Sequence, residues 1–400
     1  MAEPAGTTVV WGPALLDYDF GDHPMNPVRV ELTIALARAL GVLDRPGVRI
    51  VEPRSADDAT LLTVHTPEYL SAVQVAPSDP GFTGFGLNTT DDPVFSHMHE
   101  ASALIVGASV AAAEAVWSGA SLRAVNVAGG LHHAMPDRAS GFCVYNDPAI
   151  AIRRLLDRGA DRIAYVDLDV HHGDGVQHVF YDDPRVLTIS LHETPYALFP
   201  GTGFPGETGG PDATGTAINV PLPPGTGDAG WLRAFHAVVP GAVRAFKPDL
   251  LVTQCGADAH RSDPLADLRL SVDCQRTAYL AVRGLADAVC GGRWVAYGGG
   301  GYAVVEVVPR AWTHLLAVAT GEPIDPDTAT PAEWRALAQA RVPGSYPPVR
   351  MTDFPGGARL VLDHTPWEPT GEPDAVDRAI LATRRAVFPL LGLDPYDPRD

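Results

Sequence analysis

The segment Arg162–Val176, RIAYVDLDVHHGDGV, constrains this chain more than any other. It opens as a buried strand, because Ile163, Ala164, Tyr165 and Val166 form an apolar run with no helical period. Charge then arrives where the strand should end. Asp167, Asp169 and His171 alternate with Val166, Leu168 and Val170, which predicts that the three polar side chains share one face. Carboxylates and an imidazole converging at the end of an apolar strand are costly to bury without a cation or hydrogen-bond partners. A solvated strand end would be the simpler account of one such residue. It is the poorer account of three.

The surrounding pattern says what kind of sheet this strand belongs to. Short apolar runs at 7–11, 124–128, 186–191, 217–222, 250–254 and 294–297 alternate with helical stretches at 30–40, 94–118, 150–158, 231–246, 275–289 and 307–319. Repeated β-α units predict an α/β fold with a mostly parallel sheet. Several of the strands end in polar clusters: His132-His133, Asp169 with His171, His192, Asp258 and Tyr302. Open α/β sheets bind ligands beyond the carboxyl ends of their strands, so these clusters belong to one crevice. The Gly/Pro-rich stretch 193–211 is a long loop inside this pattern, and such loops are usually functional. Residues 321–400, rich in Pro and Asp with helices expected at 331–340 and 374–391, read as an extension packed on a catalytic domain of residues 1–320.

Composition narrows the partners. A net charge of −19 argues against nucleic acid, because phosphate binding needs a basic footprint. No run of eighteen apolar residues predicts a membrane span, and MAEPAGTTVVWG lacks the basic and apolar regions of a secretory signal. Cys143, Cys255, Cys274 and Cys290 form no C-x-x-C pair and read as reduced core residues, which fits the cytoplasm.

A catalytic zinc needs about three protein ligands and an open position for water. Asp169 and His171 supply two, and Asp258, again where an apolar run ends, is the best third; taken alone it would read as a helix cap. His132 and His133, after a Gly-Gly turn, suit either metal binding or acid–base work. Asp167 and Asp174 remain to orient an imidazole each. Gly298–Ala303, GGGGYA, lacks the Lys and Ser/Thr of a phosphate loop. Its glycines allow a tight turn that aims Tyr302 at the crevice, where a hydroxyl can stabilise an oxyanion.

GGLHHAMPDRASGFCVYND, YVDLDVHHGDGVQ, LFPGTG, QCGADAHRSDPLADL and GGGGY occur in this order and together resemble the zinc-dependent histone deacetylase superfamily over roughly residues 10–320. QCGADAHRSDPLADL and VVPRAWTHLLAVATG look most like its bacterial acetoin-utilisation branch. The resemblance implies an arginase-like α/β fold, with a mostly parallel sheet of about eight strands and helices on both faces. It implies zinc (Zn2+) on Asp169, His171 and Asp258, with Fe2+ able to replace it. His133 would act as general base and His132 would assist, with Asp174 behind His133 and Asp167 behind His132. Tyr302 would donate to the acetyl carbonyl. Gly141, Phe142 and Phe199 would wall the lysine tunnel, and Leu265 stands where many eukaryotic members carry Met. Asp91 matches a rim residue that grips the substrate backbone, with Asp92 its rival. A structural potassium (K+) site matches Asp167, Asp169, His171, Ser190 and Leu191.

The resulting expectation is hydrolysis of acetyl-lysine in an acetylated protein substrate, with a metabolic enzyme such as acetyl-CoA synthetase as the implied target. Three alternatives stand beside it. The same chemistry could act on a small acetylpolyamine, or the chain could be a non-catalytic acetyl-lysine binding module. A two-manganese ureohydrolase would need further metal carboxylates and would not need Tyr302 on its glycine loop.

Overall fold

The structure is a computed structural model that describes residues 6–356, 365–368 and 372–400. The first five residues of the N-terminal stretch read above lie outside these. Among the described residues eight strands form one sheet: β1 (Thr7–Val10), β2 (Val48–Val51), β3 (Arg123–Asn126), β4 (Ile163–Asp167), β5 (Val186–Glu193), β6 (Ala217–Leu222), β7 (Leu250–Gln254) and β8 (Trp294–Tyr297). Their order is β2-β1-β3-β8-β7-β4-β5-β6, and every adjacent pair is parallel. Every residue of β4, β5, β7 and β8 is buried. Successive side chains point to opposite faces, so both faces of this central sheet are covered, as a parallel sheet requires.

β2 was not legible as a strand. Its sequence VRIV carries no apolar run, and its two middle residues are exposed because it closes one edge of the sheet. The strand β4 also ends sooner than the alternation through His171 predicts. Pairing with β5 and β7 stops at Asp167, and residues 168–173 form a loop. Asp169 and His171 are therefore brought together by loop geometry and not by strand pleat.

The helix Met98–Trp117 is long and apolar enough by composition to cross a membrane, contrary to the expectation from apolar runs, which Glu100 and Glu114 interrupt. It packs along the helix Asp147–Asp157 and against β1 and β3, so it reads as a core helix. The helix Asp147–Asp157 shows how local sequence sets local structure. Asn146 caps it by accepting from the Ala149 amide at 3.0 Å, Pro148 suits its first turn, and Gly159 follows its end with φ 92°. Ile150, Ile152, Leu155 and Leu156 are buried, each contributing roughly 1.5–3 kcal/mol by leaving water.

Beyond residue 320, the helix Ala332–Arg341 packs on the helix Val28–Ala39. The helix Ala375–Val387 packs on β6 and on the helix Asp228–Phe246.

Candidate active site

The strands β3, β8, β7 and β4 are consecutive neighbours in the sheet, and the segments leaving their carboxyl ends supply the site. After β3 comes the turn to His132 and His133. After β8 comes Gly298–Tyr302, after β7 Cys255–Leu265, and after β4 Leu168–Asp174. Chain positions more than a hundred residues apart thus meet at one end of a parallel sheet.

At the centre, one ligand atom each from Asp169, His171 and Asp258 lie within 4.8 Å of one another, and all three residues are buried. The His171 Nδ1 stands 3.0 Å from Asp169 Oδ1 and 3.2 Å from Asp258 Oδ2. Burial disfavours the His171 imidazolium, but Asp169 and Asp258 outweigh it and lift the group to about 10. Burial and the facing Asp169 push Asp258 up to about 8. Two facing carboxylates buried beside one imidazole are expensive on their own. A divalent cation compensates them, and a carboxylate–imidazole–carboxylate set with an open side is the donor chemistry of a catalytic zinc or ferrous site. The residues present therefore fit a divalent metal.

The cluster is built tightly. Asp169 Oδ2 accepts from Gln254 Nε2 at 2.6 Å and from the Gly300 amide at 2.8 Å, while Asp258 Oδ1 accepts from the Val170 amide at 3.0 Å. A Cβ at Gly300 would lie 1.9 Å from Asp258 Oδ2, so the glycine run lets the backbone pass beside the carboxylates. Arg29 fixes the same run by donating Nη1 to the Gly299 and Gly301 carbonyls at 2.8 and 3.1 Å.

His132 and His133 sit beside this cluster. His132 Nδ1 is 2.7 Å from Asp167 Oδ2, and His133 Nδ1 is 2.7 Å from Asp174 Oδ1. Burial acts against the charge on His132, but Asp167 and Asp169 overcome it and raise the group to about 9. His133 is lowered to about 4 by burial and by the charge on His132. The turn carrying the pair is held by the start of the helix Asp147–Asp157. Asn146 Nδ2 donates to the His132 and Ala134 carbonyls, and the Asp147 carboxylate accepts from the Gly130 and Leu131 amides.

A cavity of about 200 Å³ adjoins this centre. His133, His171 and Tyr302 line it with Gly141, Phe142, Leu198, Phe199 and Leu265, and the exposed Asp91 is also on its wall. The Phe199 ring lies 4.9 Å from His133, and Phe142 meets Tyr302 edge-on at 5.5 Å. Gly141 has φ 55°, and a Cβ there would meet His133 at 2.6 Å and Phe199 at 2.9 Å. Tyr302 is positioned through its amide, which donates to Asp263 Oδ2 at 2.8 Å.

Asp91 and Asp92 are separated by the structure. Asp91 lines the cavity, whereas Asp92 is buried, so it is not placed to meet a ligand at the rim. Ser190 is the register partner of Asp167 on the adjacent strand, and Leu191 follows it. Gln254, Arg29, Asn146, Asp147, Leu198 and Asp263 were not singled out from the sequence. Asn146-Asp147-Pro148 carries a recognisable helix-start signature, but nothing local says that Gln254 or Arg29 reaches the site.

A histone deacetylase domain matches residues 23–319. The chain is 42% identical over 344 residues to the acetoin utilization protein AcuC of Bacillus subtilis (strain 168), covering 84% of this chain and 88% of that one. It is 40% identical over 333 residues to the AcuC protein of Staphylococcus aureus (strain MSSA476), covering 82% and 85%. Among solved structures it resembles the histone deacetylase homologue from Aquifex aeolicus, with TM-score 0.77 and 28% identity over 94% of this chain and all of that one.

Proposed function

The chain belongs to the histone deacetylase family, and from that premise we propose that it hydrolyses the acetyl amide of N-ε-acetyl-lysine in proteins, releasing acetate. One observation carries this reading. The buried Asp169/His171/Asp258 cluster and the His132–His133 pair meet one largely apolar cavity through His171 and His133, and Tyr302 lines the same cavity.

Asp169, His171 and Asp258 would hold the metal, zinc by choice of donors with ferrous iron as a substitute. A divalent ion there supplies Lewis acidity toward the attacking water and the acetyl carbonyl. The chain's own residues do the rest. Phe142, Phe199, Leu198 and Leu265 surround the lysine stem and exclude water. His133 enters the reaction neutral, with Nδ1 tied to Asp174, so its Nε2 takes the proton of the attacking water and then delivers it to the leaving amine. His132, protonated and backed by Asp167, adds positive charge beside the developing oxyanion. The Tyr302 hydroxyl donates to that oxyanion. Asp91 would hold the substrate backbone at the rim.

The acetoin-utilisation role named for the relatives, with an acetylated metabolic enzyme as substrate, is the physiological setting proposed here. A reducing cytoplasm suits the four buried free cysteines. A structural potassium is assigned to Asp167, Asp169, His171, Ser190 and Leu191, supported by the pairing of Asp167 with Ser190 across β4 and β5. The test is acetate release from acetyl-lysine peptides by the purified chain. Release should cease after chelation and return with one equivalent of zinc or ferrous iron. Undiminished release by exhaustively metal-free protein would exclude the mechanism.

A further inference from the structure

The loop that carries Asp258 is gripped from outside the matched deacetylase domain. Residues 351–354 lie beyond residue 319 in sequence, yet Met351 and Thr352 are buried and the Asp353 side chain is 7% exposed. Asp353 Oδ2 accepts from His260 Nε2 at 2.8 Å and from the Val272 amide at 3.0 Å. Its Oδ1 accepts from Arg310 Nη2 at 2.8 Å. The segment is itself tied down: Thr352 Oγ1 and the Asp353 amide both donate to Asp273, and Arg310 Nη1 donates to the Thr352 carbonyl. Next along, the Arg261 guanidinium lies 4.9 Å from the Phe354 ring centroid.

His260 passes this grip inward. It stands two residues after Asp258, and its Nδ1 accepts from the Ser262 amide at 3.0 Å, which leaves Nε2 as the donor to Asp353. The turn so fixed ends at Asp263, whose carboxylate accepts from the Tyr302 and Leu265 amides. One short loop therefore bears a proposed metal ligand, the group that seats Tyr302 and a tunnel-wall residue, and its outer side is bonded to a carboxylate of the C-terminal segment.

We propose that Asp353 is a positioning residue of the active site: through His260 it holds the Asp258–Leu265 loop, so residues 351–354 complete the metal and Tyr302 geometry. The inference rests on the deacetylase reading and extends it to a part of the chain that the family match leaves out.

The experiment uses the full chain. Zinc affinity is measured by competition with a chromophoric chelator, and kcat and KM are measured on an acetyl-lysine peptide, for Asp353→Ala, Asp353→Asn and Ile380→Ala. Ile380 is buried in the helix Ala375–Val387, which packs on β6 and the helix Asp228–Phe246, so its truncation costs stability away from the loop. Asp353→Ala should weaken zinc binding about 10-fold or more, the scale of losing a group that orients a metal ligand, and lower kcat with little change in KM. Asp353→Asn, which keeps an acceptor for His260, should recover most of both. If Asp353→Ala binds zinc and turns over like the parent, or loses only what Ile380→Ala loses at equal thermal stability, the proposal is wrong. A parent chain that binds zinc but cleaves no acetyl-lysine would remove the deacetylase reading, and the zinc-affinity comparison would still decide the role of Asp353.

Discussion

His132 and His133, adjacent in sequence, face each other with their Nε2 atoms 3.0 Å apart while their Nδ1 atoms reach different carboxylates, Asp167 and Asp174. The arrangement splits two like groups into opposite states. Asp167, itself bonded to the Tyr165 hydroxyl at 2.7 Å, keeps its partner protonated. That charge, together with burial, keeps His133 neutral. This split suits the roles proposed above, with neutral His133 as the proton carrier and charged His132 as its electrostatic partner.

His133→Gln should therefore lower kcat by about 10²–10⁴-fold, the usual contribution of a positioned general base. Zinc content should be unchanged, because His133 is not in the Asp169/His171/Asp258 set. Stopped or steady-state assays on an acetyl-lysine peptide, paired with metal analysis, read both quantities. A variant with near-parental kcat would assign the proton transfer elsewhere.

Gly300→Ala tests the metal centre by space alone. The new methyl would overlap Asp258 Oδ2 and crowd Asp169 Oδ2, 2.9 Å away. Either the glycine loop or the carboxylates must shift, so zinc binding should be largely lost. Gly206→Ala is the matching control, since a Cβ there meets nothing within 4 Å. Metal analysis after dialysis against zinc distinguishes them. Equal metal content in the two variants would put the ion elsewhere.

The sequence made the inner parts of this site legible because they use residue types whose burial needs a reason: two aspartates, a histidine pair, a tyrosine after four glycines. The parallel sheet was legible because its buried strands are continuous apolar runs. β2 was hidden by its edge position, where Arg49 and Ile50 face solvent and no apolar run is required. Gln254 and Arg29 were hidden for another reason. Each acts by a hydrogen bond to a backbone or carboxylate far away in sequence, and such contacts leave no local period or spacing. Asp91 and Asp92 could not be separated by pattern, because only the turn geometry decides which of two adjacent carboxylates enters the core.

Asp92 adds a pH dependence to stability. Burial and the neighbouring Asp91 push its carboxyl up to about 8, although amides of Phe142 and Cys143 oppose the shift. In the unfolded chain the same group ionises near pH ~4. Between these values the folded state holds a proton that the unfolded state has lost, so stability falls as pH rises through that window. Asp92→Asn removes the titration, so its advantage over the parent should grow with pH, on the order of several kcal/mol if the full shift is expressed. Thermal unfolding at pH 5 and pH 8.5 (roughly the two ends of the window) measures it. A Tm difference that is the same at both would mean that Asp92 is ionised in the folded protein throughout.

The proposed preference for acetyl-lysine in a protein rests on the rim. The cavity walls Phe142, Leu198, Phe199 and Leu265 accept an apolar stem, and Asp91 is the one carboxylate among the described residues that line it. A free acetylpolyamine would find no buried anion for its second ammonium. In the proposed reading an acetyl-lysine inside a peptide would bring flanking backbone N–H groups to Asp91, and hydrogen bonds to a charged acceptor are worth about 1.5–3 kcal/mol each. That is roughly a 10- to 150-fold preference per bond. Peptides should accordingly show the higher kcat/KM, and Asp91→Ala should erase most of the margin while leaving the small amines nearly untouched. Asp92→Ala should not reproduce this selectivity change, because Asp92 is buried. Cleavage of acetylputrescine or acetylspermidine more efficient than that of every acetyl-lysine peptide would reverse the assignment and make a small amine the substrate.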